Sequence, residues 1–182
     1  MFEGEKVALR SLELTDLDTI MEFWNDITLR RELGPVVPHS RKEREDWIKS
    51  TWAKRRNGEA FEFAIDDIKT KKIVGHCSLK NITKINRTAS VSIAIYDVKQ
   101  RGKGYGTDAM KVLLRIGFEY LNLHRIGLNV FDTNPKAIHV YEKVGFTKTG
   151  VNRHTDYVEG KYVNDVQMDI LEDEWREKYK KD

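Results

Sequence analysis

A chain of 182 residues with 40% hydrophobic and 10% aromatic content carries enough apolar material for one buried core and is not disordered in composition. Its 32 basic and 29 acidic residues nearly cancel, so the net charge of +3 mildly favours an anionic ligand and falls well short of a nucleic-acid footprint. The one cysteine, Cys77, excludes an internal disulfide and a thiolate zinc site, and no stretch resembles a signal peptide or approaches the ~20 apolar residues of a membrane span. The expectation is a single cytoplasmic domain over residues 1–182, without metal, nucleic acid or membrane among its partners.

In chain order, "VALRSL" (7–12) predicts a strand, and "LTDLDTIMEFWND" a helix with Thr15 as N-cap and Asp18 three residues on. "SRKEREDWIKSTWAKRRNG" predicts a helix capped by Ser40 with Glu43 and stopped by Gly58. Three strand-like runs follow at 60–66, 72–82 and 88–97. The segment "TDAMKVLLRIGFEYLNL" places Ala109, Val112, Leu113, Ile116 and Tyr120 on one stripe of an amphipathic helix. "RIGLNVF" (125–131) is a strand, and "NPKAIHVYEKVGF" a helix with Asn134 as N-cap, Pro135 at its first position and Gly145 as C-cap. Two more strands, "FTKTGVNRH" and "YVNDVQMDIL", precede a charged helix from Glu172. In that tail Glu172/Arg176, Glu174/Lys178 and Glu177/Lys181 are i,i+4 pairs, and Leu171, Trp175 and Tyr179 form a docking stripe. This mixed order predicts an α/β sandwich with central antiparallel strands.

Between the run ending at Asp97 and the long helix lies "QRGKGYGTDA", with Gly102, Gly104 and Gly106 at alternate positions. The spacing fits neither a P-loop, G-x-x-x-x-G-K-[ST], nor the dinucleotide fingerprint, G-x-G-x-x-G. A glycine-lined turn into a helix N-terminus nevertheless exposes backbone N–H groups to an anion, and Arg101 and Lys103 add positive charge. A merely flexible turn would explain one glycine; three alternating glycines beside two cations favour a phosphate site.

"RGKGYG" (101–106), read as R-x-x-G-x-G, resembles the pyrophosphate signature of the GNAT superfamily of N-acetyltransferases. "NPKAIHVYEKVGF" resembles the family's N-x-x-A-x-x-x-Y-x-x-x-G-F segment. The openings "VALRSLELTDLDTI" and "VVPHSRKEREDWI" are similar to its branch of ribosomal-protein and polyamine acetyltransferases, so the resemblance spans nearly the whole chain. It implies a GNAT fold: a mixed, mostly antiparallel sheet with a splayed strand pair, flanked by helices. It also implies acetyl-CoA as co-substrate, with its pantetheine arm along the backbone of Ile95 and Tyr96. The pyrophosphate would lie on the turn formed by Arg101, Gly102, Lys103, Gly104, Tyr105, Gly106 and Thr107, with Asn134 contacting the cofactor. A homodimer is left open.

Tyr141 shares an apolar stripe with Ala137, Val140 and Val144, which by itself describes a core tyrosine. The resemblance makes it the general acid for the departing thiolate, a mildly uphill transfer by the reference values of ~10 and ~8.5. The glutamate that many relatives carry early in the strand before the signature is replaced here by Ser90. His76, Glu22, Glu32 and Asp97 are the conceivable substitutes, and Ser90 could hold a relaying water. His39, His124, His139 and His154 have no metal or triad spacing, and nothing near Cys77 in sequence activates it as a nucleophile.

The missing base bears on the acceptor. An α-amine with a reference pKa of ~7.7–8.0 is partly neutral at pH 7, whereas an amine near ~10.4 is neutral to only about four parts in ten thousand. The expectation is therefore acetylation of a protein or peptide N-terminal α-amine. A polyamine acceptor, or a non-catalytic acyl-CoA sensor, is the alternative.

Overall fold

In the computed structural model, which describes residues 1–34 and 36–180, eight strands join one mixed sheet. Along the chain come β1 (Phe2–Glu3), β2 (Val7–Ser11), α1 (Leu17–Trp24), α2 (Ile27–Arg30) and α3 (Arg41–Asn57). The central strands are β3 (Phe61–Asp67), β4 (Ile73–Thr83) and β5 (Thr88–Ile95), followed by α4 (Tyr105–Arg115) and β6 (Arg125–Phe131). The remainder is α5 (Pro135–Val144), β7 (Thr147–Val158), β8 (Lys161–Leu171) and α6 (Glu172–Tyr179). Across the sheet the order is β1-β2-β3-β4-β5-β6-β8-β7. Every neighbouring pair is antiparallel except β5 and β6, which run parallel and are joined by the crossover helix α4.

Period-two alternation sorts the central strands onto two covered faces. Phe63, Ile65, Cys77, Leu79 and Val91 pack on one side against Met110, Leu113 and Leu114 of α4. Ala64, Ala94 and Tyr96 pack on the other, beneath Ile20 and Trp24 of α1 and Ile48 of α3. The helix ends form as their residues dictate. Ser40 accepts from the Glu43 N–H at 3.2 Å, while the Glu43 carboxylate accepts from the Ser40 N–H at 2.6 Å. Asn134 caps α5 with Pro135 behind it, and Gly145 ends that helix at φ +117°.

Three local expectations are corrected. Thr15 does not cap α1; it lies inside a 3-10 turn over Leu14–Asp16. Asp16 sets this start, because its carboxylate accepts from the Glu13 N–H at 2.9 Å and is gripped through both oxygens by Arg10. The helical stripe beyond Ile116 also breaks phase. Ile116–Tyr120 is a π-turn, closed by the Leu121 N–H to Ile116 C=O bond at 3.1 Å. The wider turn rotates Phe118 inward, to 2% exposure, and Tyr120 outward, to 63%. The strand expected from "FTKTGVNRH" runs on to Val158 and folds back on β8, with Glu159 and Gly160 both at positive φ in the two-residue hairpin turn.

The tail docks as expected, although Glu174 does not pair with Lys178 and its carboxylate accepts instead from the Leu171 N–H at 2.9 Å. Trp175 packs on Phe118 at 5.4 Å between centroids, the Tyr179 hydroxyl donates to the Val144 carbonyl at 2.8 Å, and Arg176 pairs with Glu172 at 2.6 Å. The Glu177/Lys181 pair lies outside the described residues, since Lys181 is not among them.

One buried carboxylate ties the N-terminus to α4. Asp108 accepts from the backbone N–H groups of Glu5, Lys6 and Val7 at 3.2, 2.7 and 3.0 Å, and is only 7% exposed. Its oxygens sit where any side chain at Gly4 would go, 2.5 Å from the place of a Cβ. Asp108→Ala leaves these donors without their acceptor and is expected to cost about 2–4 kcal/mol. Urea unfolding measures it; a loss below about 1 kcal/mol would show that the N–H groups find other partners.

Candidate active site

β5 and β6 pair only over Thr88–Ser90 and Arg125–Gly127. Beyond that point β5 stays bonded to β4 as far as Ile95, and β6 to β8 as far as Phe131, so the two strands part. The backbone edges they present to each other open onto a cleft of about 1380 Å³, walled by Val91, Ile93 and Ile95 on one side and Leu128 and Val130 on the other. The helices that follow the two strands, α4 and α5, both start at this cleft, so two positive helix ends converge on it.

The glycine turn forms one end of the cleft. Gly102 at φ +77° and Gly104 at φ +90° adopt backbone conformations that disfavour side chains, and Gly104 is the N-cap of α4. Gly106 is different. Its φ is ordinary, and a Cβ there would meet only Ile95 Cγ1 at 3.9 Å, so nothing inside the protein requires a glycine. It borders the cleft, and with Tyr105 and Thr107 it supplies first-turn N–H groups that have no partner within the helix.

The expected residues do not all reach this space. Ile95, Arg101, Gly102, Gly104, Tyr105, Gly106, Thr107, Asn134 and Tyr141 line it. Tyr96 and Lys103 do not. The Tyr96 N–H is taken by the Val74 carbonyl at 3.0 Å, and its ring lies in the core under α1 and α3. The Lys103 ammonium donates to Gln100 Oε1 at 2.7 Å, while its carbonyl accepts from Lys6 Nζ at 2.6 Å, so this segment braces the turn from outside. Arg101 lines the cleft but is paired with Glu32 at 2.7 Å. Asn134 performs its cap, accepting from the Ala137 N–H at 3.1 Å through Oδ1, which leaves its Nδ2 as the group it can offer a ligand. Tyr105 donates its hydroxyl to Asp67, outside the glycine turn.

Tyr141 combines both readings of the sequence. Its ring packs edge-on against Phe146 at 5.9 Å, as a core residue would, yet it also faces the cleft. Burial, reinforced by the Glu32 carboxylate, pushes its hydroxyl up to about 12. It therefore stays protonated throughout the neutral range.

The proposed substitutes for the missing glutamate separate cleanly. Glu22 is exposed on α1, and Asp97 caps the turn after β5 by accepting from the Lys99 N–H at 2.8 Å. Glu32 lines the cleft, bonded to Arg101. His76 is 8% exposed among Trp24, Trp47 and Tyr96, and its Nδ1 pairs with the Tyr96 hydroxyl at 3.0 Å. Burial and then the Arg44 charge push its pKa down to about 3, which keeps it neutral. Cys77 is fully buried on the α4 side, with its thiol pushed up by burial, so it is no nucleophile.

A feature that sequence reasoning missed lies on the α1/α3 side of the sheet. A side pocket of about 240 Å³ shares Lys80, Ser92, Ile93 and Ala94 with the main cleft. Trp24, Trp47, Arg30 and Arg44 stand around it, with Arg44 stacked over both indoles at 4.8 and 5.1 Å. Glu62 is its one acid. Alternation places Glu62 on this face, but no spacing in the sequence distinguishes it from a solvated strand residue.

The family model described as an acetyltransferase (GNAT) domain matches residues 6–147, and the chain belongs to that family. It is 30% identical over 173 residues to the spermidine N(1)-acetyltransferase of Vibrio cholerae, covering 94% of this chain and 96% of that one. It is 27% identical over 177 residues to a Bacillus subtilis protein named as a candidate ribosomal N-acetyltransferase, covering 94% of each. A crystal structure of spermidine N-acetyltransferase from Vibrio cholerae in complex with CoA and spermine matches with a TM-score of 0.84 at 29% identity, over 93% of this chain and 97% of that one. The chain is thus an N-acetyltransferase of mixed α/β fold. No helix among the described residues is long and apolar enough to cross a membrane, and no group of three or more His, Cys, Asp or Glu among them could hold a metal ion.

Proposed function

We propose that this protein transfers acetyl from acetyl-CoA to the primary amine of a small molecule, by direct attack of the amine on the thioester. The observation that carries the reading is the cleft between the parted strands, which ends on glycine-bared helix N–H groups and has Tyr141 on its wall. The first-turn N–H groups of α4 hold the diphosphate of CoA, and the open edge of β5 near Ile95 offers amide groups to its pantetheine arm. N–H groups of the same edge polarise the thioester carbonyl. With Cys77 sealed in the core, its thiol cannot carry an acyl-enzyme intermediate.

Tyr141 serves the leaving group. A phenol at about 12 lies well above a thiol at ~8.5, so complete proton transfer ahead of C–S cleavage is uphill by several kcal/mol at about 1.4 per pKa unit. Its contribution is a hydrogen bond that strengthens as charge builds on sulfur, with the proton crossing as the bond breaks.

For the acceptor, the spermidine acetyltransferases among the relatives support a polyamine ahead of the N-terminal α-amine that the sequence suggested. The α-amine argument rested on the lack of a base, and the fold supplies two carboxylates, Glu32 and Glu62, at the cavities. One observation favours the α-amine as a second reading: Arg30, Arg44 and Lys80 surround the side pocket against a single acid, a poor lining for a polycation.

Gly106→Asp puts a carboxylate where the diphosphate would lie, at a helix position that favours acids, so the fold should hold. CoA affinity by calorimetry should fall at least about tenfold (~1.4 kcal/mol); unchanged affinity would remove the diphosphate from this turn.

Tyr141→Phe keeps the ring and its packing on Phe146 and should lower kcat by about 10²–10⁴ with KM for acetyl-CoA little changed. A kcat within about threefold, with chemistry rate-limiting, would return Tyr141 to a packing role.

The acceptor is read from kcat/KM for spermidine, an N-terminal peptide and a lysine side-chain mimic over pH 6–9. Spermidine should lead. A faster peptide would establish the second reading, and CoA binding without thioester consumption on any amine would leave only an acyl-CoA sensor.

A further inference from the structure

Glu62, Ser78 and Ser92 lie side by side across β3, β4 and β5. The register sets Glu62 opposite Ser78 and Ser78 opposite Ser92, so the three side chains point to the same face, that of the side pocket. The Ser78 and Ser92 hydroxyls are 2.7 Å apart, and Ser78 is fully buried. Ser78 faces the Glu62 carboxylate across the register and helps hold its pKa down, and Glu62 Oε2 is buried without a partner among the described residues. At the other end, Ser92 borders both the side pocket and the main cleft.

A hydroxyl both donates and accepts, so two in series can pass a proton without a net change in either. We propose that Glu62, Ser78 and Ser92 form a relay that draws the proton from the acceptor ammonium at the cleft and stores it on the buried Glu62 carboxylate. This rests on the acetyl-transfer reading and supplies the base that Ser90 lacks. The ammonium gives a proton to Ser92, directly or through one water, Ser92 passes one to Ser78, and Ser78 passes one to Glu62. The freed nitrogen pair forms the C–N bond, the C–S pair leaves with sulfur, and sulfur takes the Tyr141 proton. The nitrogen's surplus proton then restores Tyr141, and Glu62 releases its own to solvent.

The surroundings suit the task. Burial raises the Glu62 carboxyl to about 7, against the opposing pull of Lys80 on β4, the Ser78 hydroxyl, and Lys54 and Arg55 on α3. Arg44 of α3, Arg30 of α2 and the neutral His76 border the same pocket, and the Tyr96 hydroxyl is bound to His76. A base poised near neutrality can take a proton at working pH and still lose it afterwards.

The sign of the pH dependence follows. Glu62 is protonated and idle below about 7 and ionised and competent above it, so kcat/KM for the best amine should rise with pH through an inflection near 7. Glu62→Gln should lower kcat/KM at pH 7.5 by about 10²–10⁴ and abolish that inflection. Ser92→Ala should fall in the same direction, and Ser92→Thr, which restores the hydroxyl, should recover part of the loss. Should Glu62→Gln fail to fold, Glu62→Asp, which withdraws the acid from Ser78, must show the lowered rate. A Glu62→Gln rate within about threefold of wild type with the inflection intact, or a silent Ser92→Ala, overturns the relay. ¹³C NMR of glutamate carboxyls, assigned with Glu62→Gln, needs no acceptor. Titration of Glu62 at an ordinary glutamate value would sink the relay even if acetyl transfer stands. Titration near 7 in a protein that acetylates no amine would instead sink the acetyl-transfer reading.

Discussion

The site depends on where two parallel strands stop bonding. β5 and β6 share three residue pairs and then separate, each still held on its far side by an antiparallel neighbour. Buried peptide groups without a partner are costly. A strand edge that opens onto a cleft is therefore waiting for a ligand with amide-like groups of its own. Both helices that leave these strands begin at the gap, so a single break in the ladder brings together an open strand edge, two positive helix ends and the tyrosine of α5.

The same three central strands present opposite chemistry on their two faces. Toward α4 they carry Phe63, Ile65, Cys77, Leu79 and Val91, a dry surface on which even a thiol is inert. Toward α1 and α3 they carry Glu62, His76, Ser78 and Ser92, roofed by tryptophans and arginines. Strand alternation alone separates these sets by one residue. The apolar face fixes the sheet on α4, the helix that the glycine turn begins, and the polar face is left to carry the row proposed as a proton relay. His76, held neutral by its burial and bonded to Tyr96, is part of the wall of this polar layer.

Much of the backbone was legible in the sequence because its signals are local. The Ser40/Glu43 box, the Asn134-Pro135 start with Gly145 as stop, and the 125–131 strand each follow from residues within one or two turns of one another. The glycine turn was legible for the same reason, since three glycines before a helix describe their own geometry. The failures mark places where distant residues decide. Asp16 starts its turn where it does because Arg10 and Asp66 share one guanidinium network, so Thr15 is left as an ordinary turn residue. Tyr120 left the stripe because a π-turn intervened, and in its new place it packs on Phe2 at 5.1 Å between centroids.

Capping and periodicity therefore determined most of the elements, and the resemblance of two motifs to a known family pointed to the acetyltransferases, to which the chain belongs, and to the glycine turn as a candidate anion site. Tertiary structure decided which of the named residues face the cleft. It withdrew Tyr96 and Lys103, whose bonding is set by Val74, Gln100 and Lys6, and it kept Tyr141 as both a packed and a facing residue. It alone revealed the carboxylate row. Glu62, Ser78 and Ser92 are separated by 16 and 14 positions, and only strand register can bring such residues into one line.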